Sequence, residues 1–226
     1  MKIGVIGAGR IGGNAAKLFA AAGHTVLLSF SRQPERLHAL ADSIGENATV
    51  GSVREAAEFG EVVFFSVGWS LIPSVLDDAG SLAGRIVIDT TNQFGRGADE
   101  PAKAGLTAAQ FNQRRMPGAS LVKAFNTLTS GFQAAEAGRP LDKRVVLFLC
   151  GDDQAAKDVV SRLISDAGFA PADLGGLADA APMEAPRRKG AVYGEEYRPA
   201  EAEKVIAALR AGQPIPPTPR YDDSGW

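Results

Sequence analysis

The tightest constraint on this chain lies in its first 36 residues. An apolar run (Ile3, Val5, Ile6) enters Gly7-Ala8-Gly9-Arg10-Ile11-Gly12, and an apolar-periodic run (Ile11, Ala15, Leu18, Phe19, Ala22) leaves it. A strand, a glycine-rich turn and a helix, in that order, is the setting in which G-x-G-x-x-G binds a dinucleotide. Gly7 serves the tight turn, Gly9 lets a pyrophosphate reach the backbone, and Gly12 lets the helix lie close to the strand. Residues Gly7, Ala8, Gly9, Arg10, Ile11 and Gly12 are therefore expected to hold the cofactor. Its phosphates would face the free N–H groups and positive dipole end of the helix. Gly23 reads as a helix C-cap, and Thr25 to Phe30 as the second strand of the βαβ unit.

The end of that second strand selects the dinucleotide. An acidic residue about 20 positions after the loop would bind the ribose hydroxyls of NAD. Here Ser29-Phe30-Ser31-Arg32 stands instead, with Arg36 one helical turn on. A hydroxyl and guanidinium groups attract a 2′-phosphate that a carboxylate would repel. A hydrogen bond to a charged group is worth about 1.5–3 kcal/mol, which is roughly ten- to a hundredfold in affinity. Arginine near a helix N-terminus opposes the dipole unless an anion sits there. Ser31, Arg32 and Arg36 thus predict NADP(H).

The remaining pattern alternates strands and helices. Pro34 opens a helix whose inner face carries Leu37, Leu40, Ala41 and Ile44, and Thr49-Val50 is a short third strand. Ser52 and Glu55 have capping-box spacing. Val62 to Val67 reads as a central parallel strand buried on both faces, followed by a helix from Leu71 to Ala79. Ile86–Asp89 and Leu121–Phe125 are further strands, with a helix over Ala108–Arg114 opened by Thr107 and Gln110. Val145 to Cys150, a helix from Asp153 to Ala167 capped by Asp152 and stopped by Gly168, an edge strand over Phe169–Asp173 and a helix over Pro199–Ala211 complete it. This is an α/β chain with an NAD(P)-binding Rossmann fold, a doubly wound and mostly parallel sheet. The division expected is a nucleotide domain over 1–126 and a smaller C-terminal lobe over 127–226. The Pro-rich tail, 213–226, is read as disordered or as an arm on another subunit.

Composition excludes several classes. The net charge of −2 shows no basic stripe for nucleic acid or a membrane surface. Apolar runs fall short of the ~20 residues that span a bilayer. The first strand begins at once, so no signal peptide is expected. Cys150 is the single cysteine, which fits a reducing cytoplasm and reads as a small core residue. His24 and His38 are the only histidines; they read as structural and solvated, and no metal site is expected.

In doubly wound sheets, ligands sit beyond the carboxyl ends of the strands. That places Val67, Gly68, Trp69 and Thr90 to Asn92 beside the nicotinamide end of the cofactor. Trp69, Asn92, Lys123 and Asn126 are the residues best placed to touch a substrate; for Lys123, hydrogen bonding between loops is an equal reading. No catalytic dyad is evident. Carbonyl reduction needs an acid near the developing alkoxide, whereas hydride transfer to a second redox ring needs mainly two stacked rings. The pattern favours ring-to-ring transfer to a small-molecule acceptor.

On these residues the chain resembles the deazaflavin-dependent NADP reductase family, whose members pass hydride between NADPH and coenzyme F420. The resemblance rests on the opening loop, Ser31-Arg32 with Arg36, Ser66-Val67-Gly68-Trp69, Asp89-Thr90-Thr91-Asn92, Leu121 to Thr127, Gly151-Asp152-Asp153 and Asp173 to Leu177. Reductase domains of membrane metalloreductases are similar, with a flavin as acceptor. The resemblance implies a homodimer, with the second ring in a cleft between nucleotide domain and C-terminal lobe. Gly68 stands where the family often has Pro, and Ala181-Pro182 with Glu184-Ala185-Pro186 where Ala-Arg and Glu-Pro are common. Two other readings stay open: a β-hydroxyacid-type dehydrogenase using Lys123 and Asn126, and a non-enzymatic NADP(H) sensor.

Overall fold

The structure, a computed structural model, describes residues 1–31 and 33–221. In chain order its strands are β1 (Lys2–Ile6), β2 (Thr25–Ser29), β3 (Ala48–Val50), β4 (Val62–Phe65), β5 (Ile86–Asp89), β6 (Ser120–Lys123), β7 (Val146–Gly151) and β8 (Ala170–Asp173). The helices are α1 (Arg10–Ala21), α2 (Pro34–Ile44), α3 (Val53–Phe59), α4 (Ile72–Ala79), α5 (Glu100–Lys103), α6 (Ala108–Arg115), α7 (Ser130–Glu136), α8 (Gln154–Asp166) and α9 (Pro199–Arg210). The strands join in the order β3-β2-β1-β4-β5-β6-β7-β8. All neighbours run parallel except β6 and β7, which meet antiparallel through Val122–Gly151 and Lys123–Cys150. The order reverses between β1 and β4, and the glycine loop leaves β1 at that switch point, where such sheets bind ligands.

Alternation along the strands divides the core into two layers. Ile3, Val5, Val26, Leu28, Val62 and Phe64 face α1, α2 and α8, meeting Phe19, Leu37 and Leu163. Val63, Phe65, Val87, Leu121, Phe148 and Cys150 face α3, α4, α6 and α9, meeting Ala56, Val75, Ala109 and Val205. A sheet covered on both sides explains why β4 and β7 are apolar at every position. Both capping boxes form. Ser52 Oγ accepts from Glu55 N–H, and Thr107 Oγ1 from Gln110 N–H, each with the reciprocal side-chain bond.

Several boundaries differ from the sequence reading for identifiable reasons. β2 stops at Ser29 and β6 at Lys123 because Phe30 and Phe125 take positive φ of 55° and 60°, which no extended strand accommodates. β4 ends at Phe65, although Val67 and Trp69 remain buried in the loop beyond it. Asp153, not Asp152, caps α8, accepting from Ala155 and Ala156 N–H. Asp152 instead accepts from Leu177 N–H at 2.8 Å. Helices α5 and α7 fall in segments given no helix by the sequence reading. As far as Tyr221, the tail packs on its own chain. The Tyr221 hydroxyl donates to Glu201 and accepts from Arg198 N–H, both at 3.2 Å. The Arg198 guanidinium lies 3.9 Å from the Tyr221 ring centre. The Asp222-Asp223 pair lies outside the described residues.

Candidate functional site

The loop between β1 and α1 has the stereochemistry of a phosphate cradle. Gly7 has φ +101°, and a Cβ there would lie 2.2 Å from the Ser66 carbonyl oxygen. Gly7 and Ala8 N–H donate to the Ser29 carbonyl at 3.0 and 3.2 Å, anchoring the loop to the end of β2. A Cβ on Gly12 would lie 2.1 Å from the Gly7 oxygen, so the helix approaches as closely as glycine allows. A Cβ on Gly9 would meet nothing within 4 Å: the space above the loop is open. Gly9 is the N-cap of α1 and offers no side-chain cap, and the first turn holds no carboxylate. The free N–H groups of a 12-residue helix therefore point at unfilled space, as a bound diphosphate requires. The cradle fits a dinucleotide.

At the adenosine end, Ser29 is buried and donates to the Val5 carbonyl (3.1 Å), so it is structural. Ser31 is half-buried and accepts from Gln33 N–H at 3.2 Å, ordering the turn into α2. Arg36, in the first turn of α2, and Arg10, at the start of α1, are both exposed cations beside this end of the sheet. Arg32 lies outside the described residues.

Beyond the carboxyl ends of β5 and β6 lies a cavity of about 360 Å³. Ile11, Thr90, Asn92, residues 125–130, Arg187, Tyr193 and Gly194 line it. It joins the first turn of α1 to the strand ends, where a nicotinamide ring would follow the phosphates. Asn92 and Asn126 are locked together. Asn92 Nδ2 donates to the Asn126 carbonyl (3.0 Å), while Asn126 Nδ2 donates to Asn92 Oδ1 (3.2 Å) and to the Met183 carbonyl (2.6 Å). Tyr193 and Arg187 come from the far end of the chain, held there by the Gly194 N–H bond to the Thr127 carbonyl (2.8 Å). Burial pushes the Tyr193 phenol above its ordinary pKa. Nothing local in the sequence marks Tyr193 or Arg187 as crevice residues; the fold-back after two short 3-10 turns, Leu177–Asp179 and Ala181–Met183, brings them in.

Two of the sequence candidates lie elsewhere. Lys123 is wholly buried and points into the layer behind the cavity. Its Nζ pairs with Asp89 Oδ2 at 3.1 Å, also fully buried, and donates to the Thr91 carbonyl. Thr91 N–H donates to Asp89 Oδ1 (2.9 Å), and Asn112 Nδ2 bridges Asp89 Oδ2 and Thr91 Oγ1, both at 3.0 Å. Three groups thus hold Thr91, which sits between the cavity residues Thr90 and Asn92. Lys123 positions the wall and offers no ammonium to a substrate.

Trp69 is only 3% exposed. Its indole N–H donates to the Gly97 carbonyl (2.9 Å), Phe111 stacks on it, and the Arg115 guanidinium covers it at 5.0 Å. Its ring packs the loop beneath the site and has no free face. Burial lowers the Arg115 pKa; this arginine is neither a solvated helix end nor an open anion ligand. Val67 and Gly68 lie next to the loop without lining the cavity. Gly68 has φ −64°, the value a proline would impose, so the glycine keeps the backbone path.

None of the remaining singled-out groups lines the cavity. His24 lies 3.0 Å from Asp166 and 3.2 Å from the N-terminal amine, while His38 is exposed. Burial pushes the Cys150 thiol far up, away from reactivity. Glu184 is buried, and its carboxylate accepts from Ala108 and Ala109 N–H at 2.9 and 2.8 Å, capping α6. No metal-binding cluster occurs among the described residues. No helix among them is long and apolar enough to cross a membrane.

Comparison with known proteins gives a family and two solved relatives. Residues 2–93 match the family described as NADP oxidoreductase, coenzyme F420-dependent. A hypothetical protein from Sinorhizobium meliloti is 32% identical, with a TM-score of 0.75 over 88% of this chain and 95% of that one. A protein from Arthrobacter sp. FB24, provisionally assigned as an F420-dependent NADP reductase, is 25% identical, with a TM-score of 0.65 over 80% and 87%. Metalloreductase STEAP3 of Rattus norvegicus is 32% identical over 184 residues, 81% of this chain. The match takes in 36% of that protein, so the chain spans about a third of its length.

Proposed function

The chain belongs to the coenzyme F420-dependent family of NADP oxidoreductases, and from that premise we propose that it passes a hydride between NADP(H) and a second redox ring, a deazaflavin or related flavin. The observation that carries this reading is the make-up of the 360 Å³ cavity. It adjoins the phosphate cradle, and no carboxylic acid, imidazole, thiol or lysine ammonium is among its lining residues. Such a site suits a reaction that needs two rings held face to face rather than a proton delivered to an alkoxide.

In this reading the backbone of Gly7 to Gly12 would hold the diphosphate, and Ser31, Arg32, Arg36 and Arg10 are the residues proposed to bind the 2′-phosphate. Bound NADPH supplies the hydride. Asn92 and Asn126, fixed by their mutual amide bonds, and Thr90 form the floor of the ring pocket, while Tyr193 and Arg187 close it from the C-terminal side and limit water. The buried Lys123 argues against the hydroxyacid dehydrogenase reading, which needs that ammonium at a substrate hydroxyl. We also propose a homodimer, which light scattering tests directly.

Tyr193 gives a second reading its one support, since a phenol in the cavity could protonate a C=O or C=N group during reduction. Anaerobic assays with NADPH and oxidised F420, FMN, or simple ketones and imines separate the two. Ring reduction that survives Tyr193→Phe within threefold supports the first reading. Ketone or imine reduction that falls a hundredfold in the same variant supports the second. Tight NADPH binding with no acceptor reduced would leave only a sensor.

A further inference from the structure

We propose that Asn126 orients the nicotinamide by accepting a hydrogen bond from its carboxamide N–H, and so selects cofactors that carry that amide. The proposal rests on the hydride-transfer reading above for the presence of the nicotinamide in the 360 Å³ cavity. The observation behind it is one leftover atom. Asn126 lines the cavity and is 4% exposed. Its amide nitrogen is used twice, donating to the Met183 carbonyl at 2.6 Å and to Asn92 Oδ1 at 3.2 Å. Both partners are acceptors, so the amide cannot turn its oxygen toward them. Asn92 is fixed in turn, because its own Nδ2 donates to the Asn126 carbonyl at 3.0 Å. This leaves Asn126 Oδ1 buried and without a donor. Such an oxygen is costly to bury, and a ligand that brings a donor removes the cost.

The presentation of this oxygen is preformed. Phe125, the residue before, has a φ of 60°, a left-handed backbone that a bulky side chain keeps only where its surroundings enforce it. The Phe125 ring packs edge-on against Phe64 and Phe19, with centroids 5.3 and 5.9 Å away. Its carbonyl accepts from Gln133 Nε2 at 3.1 Å. Strain of this kind collects where a binding geometry is held. A ligand donor therefore meets an amide already locked, with little ordering left to do.

The chemistry of the leftover atom names its partner. Ile11, in the first turn of α1, and Asn126 line the same cavity, so a ring tethered to a diphosphate on the cradle reaches it. The nicotinamide brings one N–H donor group, the carboxamide at C3, beside the C4 that carries the hydride. An acceptor oxygen binds that amide, offers nothing to a methyl ketone in its place, and repels a carboxylate. Holding the carboxamide also fixes the rotation of the ring, and with it the face that C4 presents to the acceptor.

The test is calorimetric titration of the intact protein, with no acceptor present. The ligands are NADP+, its 3-acetylpyridine analogue, which has a methyl ketone in place of the amide, and 2′,5′-ADP, which has no ring. The wild type is expected to bind NADP+ at least tenfold more tightly than the analogue, since a site built around a hydrogen bond rejects the ligand that lacks it. Asn126→Leu is expected to bind the two equally and to hold 2′,5′-ADP as the wild type does. Equal affinities in the wild type, or a preference for NADP+ that survives in Asn126→Leu, overturns the proposal. If Asn126→Leu does not fold, proton NMR of the wild type with NADP+ isotopically labelled at the carboxamide nitrogen decides it. One carboxamide proton moved downfield and protected from exchange supports the bond, and two protons at their free positions overturn it. A tenfold preference beside a deazaflavin and flavin that stay unreduced would refute ring transfer and leave the role of Asn126 standing.

Discussion

Replacing Lys123 gives the sharpest test of how the cavity wall is held. The Lys123 ammonium and Asp89 carboxylate are both 0% exposed and 3.1 Å apart. Lys123→Met removes the cation and leaves a buried carboxylate facing only Asn112 Nδ2 and Thr91 N–H. Breaking one side of a buried pair costs about 3–5 kcal/mol. For a chain of this size each kcal/mol moves Tm by about 2–4 °C, so the midpoint should fall by about 6–20 °C. Removing the charge from both partners, as Asp89→Asn with Lys123→Met, keeps an amide oxygen for Thr91 N–H and should recover much of that loss. Urea unfolding followed by circular dichroism, with a thermal melt, measures each variant. If Lys123→Met loses less than about 1 kcal/mol and the fully folded protein has no NADPH oxidation at all, the positioning argument is refuted. Lys123 would then be acting on substrate.

Three further outcomes follow from particular contacts. Gly9→Ala should leave stability within about 0.5 kcal/mol, because its Cβ meets nothing within 4 Å, yet raise the NADPH Kd at least tenfold; Gly12→Ala should damage both, its Cβ lying 2.1 Å from the Gly7 oxygen. Arg32→Ala should weaken NADPH by roughly ten- to a hundredfold with little effect on NADH, and equal losses in titrations of both would remove the 2′-phosphate role. The Ser120 hydroxyl and the first N–H groups of α8 hold the Asp153 carboxyl below the usual range. Its contribution is complete above the ordinary carboxylate pKa of about 4 and lost as pH falls through the lower folded value. Asp153→Asn should accordingly flatten the acid side of the stability–pH curve, and an unchanged acid limb in pH-dependent melts would contradict this.

The parts of the fold that were legible in the sequence are those written in local chemistry. Gly7, Gly9 and Gly12 specify a turn that only their missing side chains permit, and Ser52 with Glu55 or Thr107 with Gln110 specify helix starts by spacing. The unbroken apolar runs of β4 and β7 specify burial on both faces. Side-chain direction at a strand end was not legible: Lys123 and Asn126 both follow an apolar run, but the positive φ of Phe125 turns only the second toward the cavity. Trp69 was readable as an aromatic at the crevice, whereas its stacking on Phe111 and capture by Gly97 depend on a loop with no periodic pattern. Tyr193, Arg187 and the self-packed tail depend on contacts spanning more than 60 residues or on one tyrosine hydroxyl. No short-range signal encodes such contacts.

The central claim is direct hydride passage between a dinucleotide on the Gly7–Gly12 cradle and a ring in the adjoining cavity. Anaerobic single turnover with NADPH deuterated at C4 and an oxidised deazaflavin, followed by mass spectrometry, tests it most directly. We predict deuterium on the deazaflavin carbon, a slowed transfer with the labelled cofactor, and a weaker response to sub-saturating NADPH in Gly9→Ala. Tight NADPH binding with an unreduced ring, or a reduced ring whose new hydrogen comes from solvent, would contradict the account.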